Sequence, residues 1–385
     1  MILKTLFFVS IFMIFWTNVG YPFFILFLGK IIKRANKKDY SYEPSVTLMI
    51  VAHNEEKIIH QKLENAISLD YPKNKYKILV TSDNSDDKTN TIVEDFISKH
   101  KKYNIELYKV KERRGKTNAQ NEGAKLVKSE ILIMTDANSI IDKNAIKEIV
   151  SSFSSPNIAY VTGLLSYSNK HDNTTSKSEN MYWNLDTKIR EIESRISTIT
   201  AGNGALYACR TSEYFDFNPI NCHDSIMPLY YALNGKRAIA NHSAIAYEKA
   251  GENDGDEFKR KVRMNRDILK FIFPSFRLIN IFKYKWFSFF YFGHRTSRYL
   301  LWFNHLLLLI TNILLLNESY FYIVTFFVQL FVYICAILSK LFLTKNRLCN
   351  ICSYYCMTIY AQFVGVIKTI LKKNKPFWEK AESTR

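Results

Sequence analysis

The sequence predicts an α/β fold: a mostly parallel central sheet covered by helices and flanked by transmembrane helices. Three observations carry that expectation. Between about Pro44 and Pro274, strand-like apolar runs alternate with stretches of helical period, the pattern of a parallel sheet with helices on both faces. Apolar runs near the length needed to span a bilayer lie before and after that stretch. Basic residues gather beside those runs: Lys30, Lys33, Arg34, Lys37 and Lys38 after the first, and Lys368, Lys372, Lys373 and Lys375 after the last. Segments lying against anionic headgroups are flanked in this way.

Composition narrows the class. With 48% hydrophobic and 15% aromatic residues, the 385-residue chain is too apolar to be a linker or a disordered tail. Six Cys are too dilute for a disulfide scaffold. The net charge of +18 points to a nucleic acid or a membrane surface. The position of the cations favours the membrane. No zinc-finger spacing or RNP-like aromatic motif supports a nucleic-acid partner.

The first apolar run, from about Leu6 to Leu28, reads as a transmembrane helix. A signal peptide fits less well, because the run exceeds an ordinary apolar region and its charges follow it. The positive-inside rule then puts the next segment in the cytoplasm. Four strand–helix pairs follow. "SVTLMIVA" precedes a helix from about Glu55, "YKILVTS" one from about Asp87, "NIELYKV" one from about Lys116, and "EILIMTD" one from about Lys143. "IAYVTGLLSYS" and "ALYACR" read as later strands, with a longer helix over about Ser176–Arg195. Past Pro274, "KYKWFSFFYFGHR" suits an interfacial helix. Apolar runs follow at Tyr299–Leu316, Tyr320–Leu338 and Cys349–Ile367. The last carries Asn350, Ser353, Thr358, Gln362 and Lys368, which leaves open whether it crosses the membrane or is re-entrant. The expected division is 1–29 transmembrane, 30–274 cytoplasmic, 275–296 interfacial, 297–372 membrane helices in two or three spans, and 373–385 a basic tail.

Polar residues fall at the ends of the four strands, in "AHNEE", "SDNSDDKT", "RRGKTNAQNEG" and "TDANS". Ligands of parallel α/β sheets bind outside the carboxyl ends of the strands. Asn54, Glu55, Asp83, Lys116, Asp136 and Asn138 are therefore expected on one rim. Carboxylates with a lysine there suit a nucleotide whose diphosphate carries Mg²⁺ or Mn²⁺, ions that take oxygen ligands. Asp87 and Asp142 directly precede helices and read as caps. The Walker spacing and a G-x-G-x-x-G after the first strand are both missing, which argues against a P-loop protein and a Rossmann dehydrogenase. Cys349, Cys352 and Cys356 lie in an apolar run and read as packing residues.

These strings, with "AGNGALYACR", "CHDSIMPLYYALNGKRA", "FKRKVRMNR" and "PFWEKAESTR", resemble the membrane-bound family 2 glycosyltransferases. The resemblance implies a GT-A nucleotide-sugar-binding domain between transmembrane segments. It implies an inverting hexosyl- or N-acetylhexosaminyl-transferase that moves a sugar from a nucleotide-sugar, a UDP-sugar by preference, to a lipid-linked or polysaccharide acceptor. It places the chain in the cell (inner) membrane as a multi-pass protein with a cytoplasmic catalytic domain, whose partners are donor, acceptor and membrane lipids. Ala52, Asn54, Glu55, Asp83, Lys116 and Asp136 match donor-binding positions, and Asp83 the aspartate that contacts uracil or ribose. Asp136 and Asn138 match the D-x-D metal motif. Gly202, Gly204, Arg210, Arg260 and Arg263 match positions on the acceptor and diphosphate side, and Asp224 the general base.

Three departures from the family pattern stand out. Asn138 replaces the second aspartate. His223 stands where an acidic residue is common. Arg260 and Met264 replace the Gln and Trp of Q-x-x-R-W, which favours transfer of one or a few sugars over a processive polysaccharide synthase. A catalytically inactive membrane adaptor is the remaining alternative.

Overall fold

The computed structural model describes residues 1–167, 174–249, 254–341 and 346–377. The expected tail motif lies partly outside them, from residue 378 on. The chain forms two compact units. One comprises residues 32–169, 187–250 and 375–385, the other 1–31, 170–186 and 251–374. The division interleaves along the sequence, and the helix Thr174–Ile196 contributes to both units.

The first unit is an eight-stranded sheet. Its strands are β1 (Val46–Ala52), β2 (Tyr76–Ser82), β3 (Ile105–Lys109), β4 (Ile131–Asp136), β5 (Ile140–Ile141), β6 (Ile158–Tyr167), β7 (Leu206–Arg210) and β8 (Arg237–Glu248). Their order is β3-β2-β1-β4-β7-β6-β8-β5. Strands β1 to β4 are mutually parallel where they pair, β7 runs antiparallel to β4 and β6, and β8 is parallel to β6. All seven residues of β1 are buried, as expected of a strand covered on both faces. Its side chains alternate between two cores. Val46, Leu48, Ile50 and Ala52 join the layer with Ile59, Leu63, Phe96 and Ile149. Met49 and Val51 join the layer with Ala119, Tyr207 and Met227. Each fully buried aliphatic side chain contributes roughly 1.5–3 kcal/mol.

The helix Ile59–Ser68 buries Ile59, Lys62, Leu63 and Ala66, one face at helical spacing with a lysine inside the apolar stripe. β8, which the sequence reading leaves unassigned, pairs along β6 with register shifts between Ile158 and Tyr160 and between Thr162 and Leu164. Its sequence alternates Ala with Ile at either end but is broken in the middle by Asn241, His242 and Ser243, residues of low strand propensity in a row.

The second unit is helical. Ile2–Ile31 and Tyr320–Leu341 are each long and apolar enough to cross a membrane. The pair Trp286–Tyr299 and Leu301–Leu315, bent by 60°, makes up to three such spans if it counts as one. The expected interfacial helix is a series of short turns: Phe276–Ile279, Ile281–Tyr284, Trp286–Phe290 and a π-turn at Tyr291–Thr296. Asp186, 2% exposed, accepts from Arg298 at 2.6 Å and lies 3.2 Å from His294. Between the long helices, the ring nitrogens of His305 meet the Tyr333 and Tyr355 hydroxyls at 3.1 and 2.9 Å. Asn18 donates to Tyr355 at 3.0 Å, which brings four helices into one polar network. Cys335, Cys349, Cys352 and Cys356 pack with Val332 and Ala336.

Candidate active site at the strand ends

Register fixes where the rim lies. Ala52 is paired with Ser82, and Val51 with Asp136, so β1, β2 and β4 end in one row. The residues just past that row face the same edge of the sheet.

On the β1–β2 side, the predicted residues largely hold each other. The Ala52 carbonyl accepts from Asp83 N at 2.8 Å. Asn54, at φ +54°, donates to Asp86 at 2.5 Å and accepts from the Asp86 amide at 3.0 Å. Glu55 is buried, and its amide donates to the Thr89 hydroxyl at 2.7 Å. Asp87 accepts from the amides of Thr89 and Glu56 at 2.9 and 3.1 Å, one residue before Lys88, which stands at the N-cap of the helix Thr89–Lys99. Asp83 is 3% exposed, and its carboxylate accepts from the amides of Arg114 at 3.2 Å and Gly115 at 2.9 Å. The sequence expects this side chain on a base or ribose; the structure turns it to the loop that opens the helix Lys116–Ala124. Gly115 sits at φ +93°, and a Cβ there would lie 2.3 Å from the Pro376 carbonyl oxygen. Phe377 lies under the Arg113 guanidinium at 4.9 Å.

On the β4 side the cluster is charged. Lys116 forms an ion pair with Asp136 and reaches the Gly204 carbonyl at 3.4 Å. Burial pulls the Lys116 ammonium down, but Asp136 beside it, with Asp224 and Cys222, holds it above the ordinary lysine value. At Gly204 a Cβ would stand 3.2 Å from the Lys116 ammonium and 3.8 Å from an Asp136 oxygen. Asn138 follows on the same turn and is half-buried.

Asp224 opens the helix His223–Leu233 and is half-buried. Its carbonyl accepts from Gly202 N at 2.7 Å. A helix would normally give that carbonyl to the amide four residues on, but that residue is Pro228, which has no N–H. The proline thus leaves the Asp224 carbonyl to the 201–204 loop. The other side of that loop is held by Arg190, which donates to the carbonyls of Gly202 and Ala201 at 2.6 and 3.2 Å. His223 is 2% exposed, its ring within 3.3–3.4 Å of Tyr207, Tyr214 and Asn121. Burial, with the Lys116 charge, lowers its imidazole from 6.5 to about 3. It is a neutral packed ring at the base of the site.

One expectation needs correction. Arg210 is not on this rim. β7 runs antiparallel to β4, so Leu206 pairs with Thr135 near the rim while Arg210 pairs with Ile131 at the far end. There it donates to the carbonyls of Ile158 and Ser155, each at 3.0 Å. Arg260 and Arg263 lie on the helix Asp254–Met264 of the helical unit, where Arg260 donates to Glu257 at 2.7 and 3.0 Å.

The sequence reading missed Lys62, whose side chain is fully buried. It donates to the Thr135 hydroxyl at 3.0 Å and to the Ser139 carbonyl. Burial lowers it from 10.5 to about 7, against the pull of Asp136 and Glu248. A lysine inside an i, i+3, i+4, i+7 apolar stripe is the signal that would have found it.

Oxygen donors at Asp136 and Asn138 fit a hard divalent cation. Among the described residues, no three His, Cys, Asp or Glu side chains gather into a metal site. One carboxylate and one amide fit an ion that brings further ligands with it, as Mg²⁺ does with substrate phosphates.

The mostly parallel sheet, with acidic turns and a lysine at its carboxyl edge, is of GT-A type. Residues 47–212 match the family model described as "Glycosyl transferase family 2". The probable glycosyltransferase YdaM of Bacillus subtilis (strain 168) is 33% identical over 158 residues, 38% of this chain and 37% of that protein. A poly-beta-1,6-N-acetyl-D-glucosamine synthase of Staphylococcus epidermidis is 29% identical over 161 residues, 41% and 38% of the two chains. A beta-monoglucosyldiacylglycerol synthase of Trichormus variabilis is 25% identical over 163 residues, 42% and 35%. These matches span 35–38% of the relatives' own length. The mannosyltransferase PcManGT from Pyrobaculum calidifontis, solved with GDP-Man and Mn²⁺, superposes with a TM-score of 0.74 over 96% of this chain and 99% of that one, at 18% identity. That likeness is one of fold.

Proposed function

We propose that the chain is an inverting, metal-dependent glycosyltransferase of the cytoplasmic membrane face, moving a sugar from a nucleotide-sugar to a lipid-linked or glycan acceptor. The observation that carries this reading is the cluster of Lys116, Asp136 and Gly204 beside the Asp224 helix at the carboxyl edge of the sheet. Asp136 and Asn138 would hold Mg²⁺ or Mn²⁺, which offsets charge on the leaving diphosphate. Lys116 adds a second positive charge there. Its partner Asp136 would be the carboxylate ligand of that metal, so Lys116 and the metal would share one carboxylate. Gly204 has no side chain to block the approach. Asp83, by fixing the Arg114 and Gly115 amides, shapes the nucleoside wall, with Asn54 and Glu55 bracing it. Asp224 takes the proton of the acceptor hydroxyl as general base, and inversion needs no covalent nucleophile. The apolar helices Ile2–Ile31 and Tyr320–Leu341 support attachment to a membrane, and the basic residues after the first apolar run support a cytoplasmic site.

The test is nucleotide release by the full chain in detergent from UDP-, GDP- and dTDP-sugars with Mg²⁺ or Mn²⁺, beside Asp224→Asn. Release from one donor, abolished in Asp224→Asn while nucleotide binding persists, supports the assignment. Near-normal turnover in that variant would sink it. Long polymer made by the purified chain would move the reading to a processive synthase.

A further inference from the structure

We propose that Lys62 is a positioning residue for the metal-binding turn, a role that rests on the glycosyltransferase reading above. Its ammonium enters from beneath the sheet edge, wholly out of solvent, and holds the turn after β4 at two points. It donates to the hydroxyl of Thr135, the residue before Asp136, and to the carbonyl of Ser139, the residue after Asn138. The two candidate metal ligands are thus bracketed by the two groups one buried charge holds. One helical turn further on, Asn65 grips Ile141 in both directions, donating to its carbonyl at 2.8 Å and accepting from its amide at 2.9 Å. Ser139 also donates its hydroxyl to Glu248 at the end of β8. The segment from Thr135 to Ile141 is clamped from the helix Ile59–Ser68 at both ends.

The reach extends beyond the turn. The Thr135 hydroxyl that accepts from Lys62 donates in turn to the Ala205 carbonyl at 2.8 Å. Ala205 follows Gly204, which faces both Lys116 and Asp136. A single ammonium therefore orders the metal turn directly and the 202–205 loop through one hydroxyl.

A buried lysine is a poor device for stability. Desolvating an ammonium costs several kcal/mol, and apolar residues of similar volume often replace buried charges without loss. What such a group does well is fix the direction of the groups that accept from it. Partners that orient metal ligands without touching the ion typically govern 10–100-fold in metal affinity.

The experiment compares the full chain in detergent with Lys62→Met and Lys62→Gln. Mn²⁺ binding is read from the loss of its free electron paramagnetic resonance signal, with saturating UDP and in parallel with GDP. Thermal unfolding is followed in the same samples. Both variants are expected to stay folded, with melting temperatures near or above wild type, while Mn²⁺ binds about tenfold or more weakly. Metal-free nucleotide binding should be unchanged. Wild-type Mn²⁺ affinity in either folded variant overturns the proposal. Failure of both variants to fold overturns it too, since a role confined to the turn leaves the rest of the sheet standing. If the wild type binds no Mn²⁺ with either nucleotide, the glycosyltransferase reading itself falls, and the proposal with it.

Discussion

His223 gives a sharp stability prediction. The perturbation is acid. In the folded chain the ring is enclosed, with the Lys116 charge nearby, and titrates at about 3 instead of 6.5. Between those values the unfolded chain holds a proton that the native chain refuses, so stability falls as pH drops. Integrated from pH 7 to pH 4, the loss is ~3 kcal/mol, and it saturates once pH passes below the folded value. For a unit of this size that corresponds to a drop of roughly 6–12 °C in melting temperature. The assay is thermal unfolding by circular dichroism of the full chain in detergent, beside His223→Gln. Carboxylates titrate in both proteins, so the difference in acid slope isolates the ring. The variant should be less stable at pH 7 yet lose ~3 kcal/mol less on acidification. Parallel losses in the two proteins would refute the reasoning, because they would mean that the ring accepts its proton in place.

The remaining predictions concern packing and placement. Gly202→Ala puts a methyl 2.0 Å from the buried Tyr160 hydroxyl; it should cost about 1–3 kcal/mol, and adding Tyr160→Phe should recover part of the loss in a denaturation series. Arg210→Ala should lower the melting temperature while leaving nucleotide affinity by calorimetry at the wild-type value, since its partners lie at the far end of β7; a change in affinity would return it to the site. Asp186→Asn removes the negative charge that faces Arg298 at 2.6 Å and His294 at 3.2 Å and should lower the detergent-melting temperature.

The rim was legible in the sequence because four parallel strands, three of them largely apolar, must end on the same edge, and the polar residues sit at those ends. β8 was not, since its two short Ala–Ile stretches are split by Asn241, His242 and Ser243 and read as no single strand until β6 pairs with them. Arg210 was misplaced for a related reason: a motif gives an order of residues but not the direction of the strand that carries them, and β7 is reversed. Asp83 was found, but not its partners, because the amides of Arg114 and Gly115 come from a loop some thirty residues away. Lys62 was hidden by its own stripe, where a lysine reads as one imperfection in an apolar face.

Pro228 has a consequence beyond the helix it sits in. A carbonyl released from its own helix answers to whatever amide approaches it, and here that amide belongs to Gly202. Proposed base and the 201–204 loop are therefore joined through main chain, at a point no side-chain exchange on either of them can cut. Slow exchange of the Gly202 amide would report the grip of that joint, and a residue with its own N–H at position 228 would compete for it.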